Sequence, residues 1–350
     1  MSVAPVPGRP APLVRRAATR PGARRLLPIG AVAALLGCAS GESSPSSGVV
    51  ADSVRLAPLE RAFRLDEASA AAASARHPAI VYTINDSGNE EVLYAFDTTG
   101  NAMGRWVMRG TRNRDWEALA TGPCATAPEA ACVFVGDVGD NALSRPTVLL
   151  LQAREPDSLA FGSVGELFSD SLVVRYADGP HNVESLVLAP DGGFLLLPKE
   201  VMRRPDGTRR PTLLYRVAPG AWAAGDTAVA RLVDSIPIVP GAATRQQVTD
   251  AALSRDGRVL AVRTYADVWL FAADSLTGRP LAGVAPVTCN VSALHEPQGE
   301  GVGILAVHER RVRLVLTTEG DREPFRFVTC PRPVVARAAG SPTPAAPQSR

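Results

Sequence analysis

Apolar residues come in short runs of four or five along most of the chain, and turn-forming residues divide one run from the next. Residues 80–84, 92–96, 132–135, 147–151, 171–174, 194–197, 212–215, 259–262, 268–271 and 312–316 are of this kind, rich in Val, Leu, Ile, Phe and Tyr. Such runs predict β-strands, and beyond residue 40 no spacing of three and four persists long enough for an amphipathic helix. Asp191-Gly192 and Asp256-Gly257 each stand between two runs, as hairpin turns do. The pattern predicts an all-β chain, and the regular return of strands predicts radial repetition in a single β-propeller.

A longer period points the same way. Glu67, Glu117, Glu184, Asp250 and Glu300 each precede a stretch of small or aliphatic residues, at intervals of 50, 67, 66 and 50. Each interval has room for four short strands. The innermost strand of a propeller blade runs along a crowded axis where Ala, Gly and Ser fit, so the five acids are expected to open five innermost strands. After Glu300 only two clear strands follow, at 312–316 and 325–329, whereas residues 53–56 form a strand ahead of the first repeat. That amino-terminal strand is expected to complete the last blade and close the ring. Five blades are favoured, and six stay open if a longer interval holds a further blade.

Composition adds location. The 350 residues are 46% hydrophobic and 21% charged, enough to bury a core. The formal charge of +2 divides unevenly, because residues 1–37 hold six arginines and no acid, which leaves −4 from Cys38 onward. That balance argues against a nucleic-acid partner. Residues 26–37 are apolar or small, too few for a span of about 20 residues but the right length for an export signal. Leu35-Leu36-Gly37-Cys38 resembles the lipobox of bacterial lipoproteins, in which the cysteine thiol receives a lipid and becomes the first residue. The resemblance implies a signal peptide at 1–37, a tether at 38–49 and a cell-envelope anchor at Cys38. It favours the outer membrane where there are two, since Ala39 rather than an aspartate follows. The propeller then occupies 50–330, followed by a tail at 331–350 rich in Pro, Ala and Arg. Membrane contact is expected through the lipid alone, and the body is expected to be a monomer.

Four cysteines remain once Cys38 is set aside, in an oxidising compartment. Cys124 and Cys132 bracket a short excursion between two strand-like runs, so a hairpin clip is the simplest pairing. Cys289 and Cys330 are left for each other, and each follows Val-Thr. No CxxC or HxxxH occurs, and the four histidines are scattered, which disfavours zinc.

Several segments carry a likeness across residues 67–319: Asn85–Gly88, Asn113–Ala120, Val135–Asn141, Asn182–Leu186, Lys199-Glu200, Val248–Ser254 and Gln298–Gly301. They resemble a group of exported bacterial β-propeller proteins, which look distantly like the phytase-like and esterase-like propellers. Asp250 departs from the pattern, standing where the other four repeats have glutamate.

If the five acids open innermost strands, they share one end of the channel, and the second strand of each blade returns to that end. Asn85, Asp86, Asp115, Asp137, Asp140, Asn141, Lys199, Glu200, Arg263, Tyr265, Thr318 and Glu319 are then expected there as well. Crowded carboxylates repel, and must protonate or meet cations. Calcium, which takes six to eight oxygens in loose geometry, suits Glu67, Glu117, Glu184, Asp250, Glu300, Asp137 and Asp140 as ligands. An internal plug, with Lys199 and Arg263 neutralising the ring, is the competing arrangement. With calcium, Lys199, Arg263 and Tyr265 are expected to bind a small anionic substrate, and the phytase-like resemblance implies a phosphoesterase. A non-catalytic module that binds a ligand or an envelope protein is the alternative, because no nucleophile elbow or His-centred set is present.

Overall fold

The computed structural model describes residues 49–59, 65–321 and 323–335. The signal peptide, Cys38, most of the tether and the tail beyond 335 lie outside the described residues. Two strands precede the first repeat, β1 (Val49–Val50) and β2 (Ser53–Ala57). Blade 1 is β3 (Ala68–Ala73), β4 (Ile80–Asn85), β5 (Val92–Asp97) and β6 (Ala102–Arg109). Blade 2 begins with β7 (Trp116–Pro123), β8 (Ala131–Asp137) and β9 (Val148–Arg154). Then β10 (Ser163–Phe168) crosses to blade 1, and β11 (Asp170–Tyr176) completes blade 2. Blade 3 is β12 (Val183–Leu188), β13 (Phe194–Pro198), β14 (Thr212–Val217) and β15 (Ala228–Ile236). Blade 4 is β16 (Val248–Leu253), β17 (Val259–Thr264), β18 (Asp267–Ala272) and β19 (Val287–Asn290). Blade 5 has β20 (Gln298–Val307), β21 (Arg311–Glu319) and β22 (Phe325–Pro331), with β2 as its outer strand.

The ring is closed as the sequence predicts. β2 pairs antiparallel with β22, Ser53 opposite Thr329 and Ala57 opposite Phe325. The innermost strands β3, β7, β12, β16 and β20 pack in cyclic order, and β20 returns to β3. The buried apolar side chains form five clusters, one at each junction between neighbouring blades. Trp116 and Leu119 of blade 2 meet Tyr82 and Ile84 of blade 1, and Phe325 and Phe327 of blade 5 meet Val81 and Phe96 of blade 1. The other three clusters lie between blades 2 and 3, 3 and 4, and 4 and 5. Each central strand therefore carries apolar residues on both faces, which is why the runs are continuous rather than alternating.

Five junctions mean five blades, and the longer intervals hold no sixth. The first is lengthened by β10, which runs parallel to β6 as a fifth strand of blade 1, Ser163 opposite Gly104. The second is lengthened by the 199–211 excursion and a one-turn helix, α1 (Ala221–Ala224). Two parallel contacts tie outer edges together, β11 to β15 between blades 2 and 3 and β1 to β19 on blade 4. β1, β10 and β15 have no strong apolar run, so the sequence pattern did not reveal them, whereas β11 holds the 171–174 run. Both expected disulfides form. Cys124–Cys132 clips the β7–β8 hairpin, and Cys289–Cys330 joins blade 4 to blade 5.

Candidate functional site

Every innermost strand opens with the same irregularity. One residue bulges from the ladder between first and second strands: Ser69, Glu117, Glu184 and Thr249 in blades 1–4, and Glu300 with Gly301 in blade 5. A bulge re-aims a side chain without ending the strand. This register corrects the phase expected from sequence. Glu67 lies two residues before its blade's bulge and Asp250 one residue after, so Ser69 and Thr249 are the equivalents of the three glutamates. Their hydroxyls donate to the next innermost strand, Ser69 Oγ to Trp116 O and Thr249 Oγ1 to Glu300 O, both 2.9 Å.

The second strands end opposite these starts, with Asn85 facing Ala68, Pro198 facing Val183, Thr264 facing Val248 and Thr318 facing Gly299. The residues that follow, Asp86, Lys199, Tyr265 and Glu319, therefore occupy one equivalent position around the mouth. Asp115, just ahead of β7, joins them.

Two groups of side chains result. In the first, Lys199 Nζ donates to Glu184 Oε2 at 3.0 Å, stands 4.0 Å from Glu300 Oε1, and lies 5.3 Å from the centre of the Tyr265 ring. Tyr265 Oη donates to Glu300 Oε1 at 3.2 Å, and Asn182 Nδ2 donates to Glu184 Oε1 at 3.4 Å. In the second, one carboxylate oxygen from each of Asp86, Asp115 and Glu117 lies within 4.8 Å of the others. Glu117 is only 6% exposed. No ion pair and no hydrogen-bond donor to Glu117 is found among the described residues. Glu300 Oε2 is also buried without a donor. Glu319 borders the groups and accepts from Gln298 Nε2 at 2.7 Å.

The electrostatics follow from burial and crowding. Burial first, then Glu184 and Asp86, holds Glu117 well above the usual carboxylate range. Burial raises Asp86 and Asp115 too, and each is pushed further by an acidic neighbour. Glu184 is pushed up to about 7 and Glu300 to about 8, by burial against the opposing pull of Lys199. Burial works against the charge on Lys199, yet Glu184 and Glu300 keep it firmly protonated.

The remaining expected residues lie elsewhere. Glu67 is exposed and bonded by Asn89 Nδ2 at 2.5 Å. Asp250 is fully buried deeper along the axis. Its Oδ2 accepts from Val302 N at 2.7 Å and Ala71 N at 3.4 Å, and its Oδ1 from Ala251 N at 2.8 Å, so it stitches three innermost strands together. Gly301 permits that closure, since a Cβ there would stand 2.4 Å from the Ala70 carbonyl carbon. Arg263 is not open at the mouth. It has zero exposure, donates to Gly301 O and Thr317 O at 2.6 Å and pairs with Glu296, latching blade 4 to blade 5. Asp137 meets Arg145 at 2.8 Å, and Asp140 accepts from Arg145 N at 2.7 Å, so both serve the 137–145 loop.

No protein-family model matches the chain, nor does any curated protein. Solved structures of similar fold include a luciferin-regenerating enzyme, 9% identical over 79% of this chain and 95% of that one, TM-score 0.40. A holo pyranose dehydrogenase PQQ domain from Coprinopsis cinerea is 12% identical over 80% and 96%, TM-score 0.40. A calcium structure of a Trichoderma reesei carbohydrate-active enzyme of family AA12 is 11% identical over 74% and 80%, TM-score 0.37. The chemistry of the mouth rests on its own side chains.

Those side chains divide the mouth between the two arrangements expected from sequence. Lys199 neutralises one half, as a plug does. The other half keeps three convergent carboxylates. Asp86 and Asp115 were legible only as members of a polar mouth; what singles them out is their approach to Glu117, which the packing of blade 1 against blade 2 produces.

Proposed function

We propose that the protein is a lipid-anchored cell-envelope propeller whose mouth binds a calcium-like divalent cation and, beside it, a small anionic ligand. The observation that carries this is the trio Asp86, Asp115 and Glu117, with oxygens within 4.8 Å of one another and a buried Glu117 that no donor serves. Oxygens that close, contributed by loosely held carboxylates from two blades, fit the 2.3–2.6 Å shell of calcium with water completing it. Asp137, Asp140, Glu67 and Asp250 are not needed in the ligand set.

A cation held there would supply charge for an anionic group and a more acidic bound water, the chemistry of phosphoester hydrolysis. Lys199 presents an ammonium to the same ligand. Glu184 and Glu300, with affinities for protons near neutrality, are suited to take up and return one. Hydrolysis would place the water oxygen on phosphorus and return a proton to the departing ester oxygen. A binding module without catalysis is favoured by one observation: Arg263 is sealed in the blade junction and is not free to hold a substrate anion beside Lys199. Calorimetric titration with calcium, repeated on Asp115→Asn, tests the cation. Strong binding that Asp115→Asn weakens about tenfold or more is expected, and no heat from the unaltered protein would sink the proposal. Release of phosphate from a chromogenic monoester with calcium, and not with chelator, separates the hydrolase from the binding module.

The anchor is tested apart from the mouth. Metabolic labelling with a radioactive fatty acid should mark the protein, and Cys38→Ser should abolish the label.

A further inference from the structure

We propose that the arginine-rich end of blade 5, remote from the mouth, lies against an anionic lipid headgroup surface and turns the mouth away from the membrane. This extends the lipid-anchor part of the proposed function. β20 begins at the mouth with Gln298 and runs ten residues to Val307, about 30 Å of strand. The hairpin at 308–310 is therefore at the far end of the channel wall. Arg310, Arg311 and Arg313 are exposed there, and Arg332 joins them through its N–H to Arg310 O at 2.8 Å. Between the hairpin and β22 lies a shallow concavity of about 440 Å³, lined by His308, Glu309, Arg310, Arg311, Arg313 and Thr329. Its volume suits a phosphate-bearing headgroup, which arginine binds with paired N–H donors. Three acids lie within or beside the patch, Glu309, Asp52, the latter 3.4 Å from Arg311 Nε, and Asp256, on which Arg332 acts. Four arginines outnumber them.

The course of the chain selects lipid as the occupant. Asp52 N donates to Thr329 O at 2.8 Å, and Val49 lies opposite Cys289, whose disulfide partner Cys330 adjoins Thr329. The body is thus joined to the segment from Cys38 beside these arginines. Ten residues lie between Cys38 and Val49, a reach of at most about 40 Å, so an anchored Cys38 holds the start of the body within that distance of the bilayer, and the charge of the patch selects the face that meets it. Val334 and Val335, 82% and 53% exposed, follow Arg332 after Pro333. Apolar side chains beside basic ones are the composition of an interfacial contact.

The test uses the full chain as Cys38→Ser, so no lipid contributes, and sediments it with phosphatidylcholine vesicles with and without phosphatidylglycerol. Binding is expected on the anionic vesicles only and should fall with added salt. Each arginine at an anionic surface is worth about fivefold, so adding Arg310→Gln, Arg311→Gln and Arg313→Gln should lower partitioning on the order of a hundredfold. A control with Arg175→Gln, Arg203→Gln and Arg231→Gln removes equal charge from other blades and should bind as before. Equal loss in both triple variants, unchanged binding in the first, or equal binding to neutral vesicles overturns the proposal. Self-association that the first variant abolishes would assign the patch to a second copy and overturn it too. Loss of fatty-acid labelling bears only on the anchor, because these vesicles meet an unlipidated protein.

Discussion

At the scale of single residues, the mouth and the channel wall use carboxylates for opposite purposes, and substitution separates them. Glu117 sits among acids with no donor of its own. Glu117→Gln removes one negative charge at nearly constant size, and should weaken calcium binding about tenfold or more. Without calcium it should leave the protein as stable or more stable, since repulsion from Glu184 and Asp86 falls. Melting curves with calcium and with chelator read both effects; destabilisation of the chelated variant would argue against the trio as a repelling cluster. Asp250 behaves differently because its two oxygens receive three backbone N–H groups. In Asp250→Asn an amide NH2 replaces one acceptor and leaves buried N–H groups unserved. A loss of about 1–3 kcal/mol is expected, the same in calcium and in chelator. A calcium-dependent loss at Asp250 would mean that it shares the cation after all.

At the scale of elements, the strands that fill blade interiors were legible because they are buried on both faces, as in β13, where Phe194 and Leu196 face blade 2 while Leu195 and Leu197 face blade 4. The closing strand β2 was legible by counting, since blade 5 lacked one. β1, β10 and β15 were not, because a parallel edge contact needs backbone groups and no apolar run. The site was half legible. An acid before a small-residue stretch located Glu117, Glu184 and Glu300, yet the same motif misplaced Glu67 and Asp250, because a one-residue bulge shifts which side chain turns to the mouth. Nothing in spacing distinguishes a bulged residue from its neighbour. The Cys289–Cys330 bridge spans the last blade junction, closing a loop of 41 residues. Its removal by paired Ser substitution should cost about 2–5 kcal/mol, seen as a lower denaturant midpoint. An unchanged midpoint would show that the apolar junction alone closes blades 4 and 5.

At the scale of the whole molecule, the ring collects acids that the chain keeps far apart, and the collection sets how stability depends on pH. Glu184 and Glu300, pushed up to about 7 and about 8 chiefly by burial, titrate near 4.5 once the chain unfolds. Between those limits the folded protein binds more protons than the unfolded chain, so stability must fall as pH rises from about 5 to about 8. Asp86, Asp115, Glu117 and Glu319 are raised in the same direction and add to the slope. Asp97, Asp178, Asp256 and Asp274 have the opposite sign, held low by hydrogen bonds against burial in the first three and mainly by Thr277 in the last. Their contribution is present above their ordinary range and is lost on acidification below about pH 4. The melting temperature in chelator should therefore peak near pH 5 and decline toward pH 8. Calcium at a hundredfold excess over its dissociation constant should restore about 2.7 kcal/mol at pH 8, and much less at pH 5, where protons already occupy the carboxylates. A chelated protein whose melting temperature is flat or rises between pH 5 and 8 would mean that the mouth acids are solvated rather than crowded, and would remove the electrostatic reason for a cation.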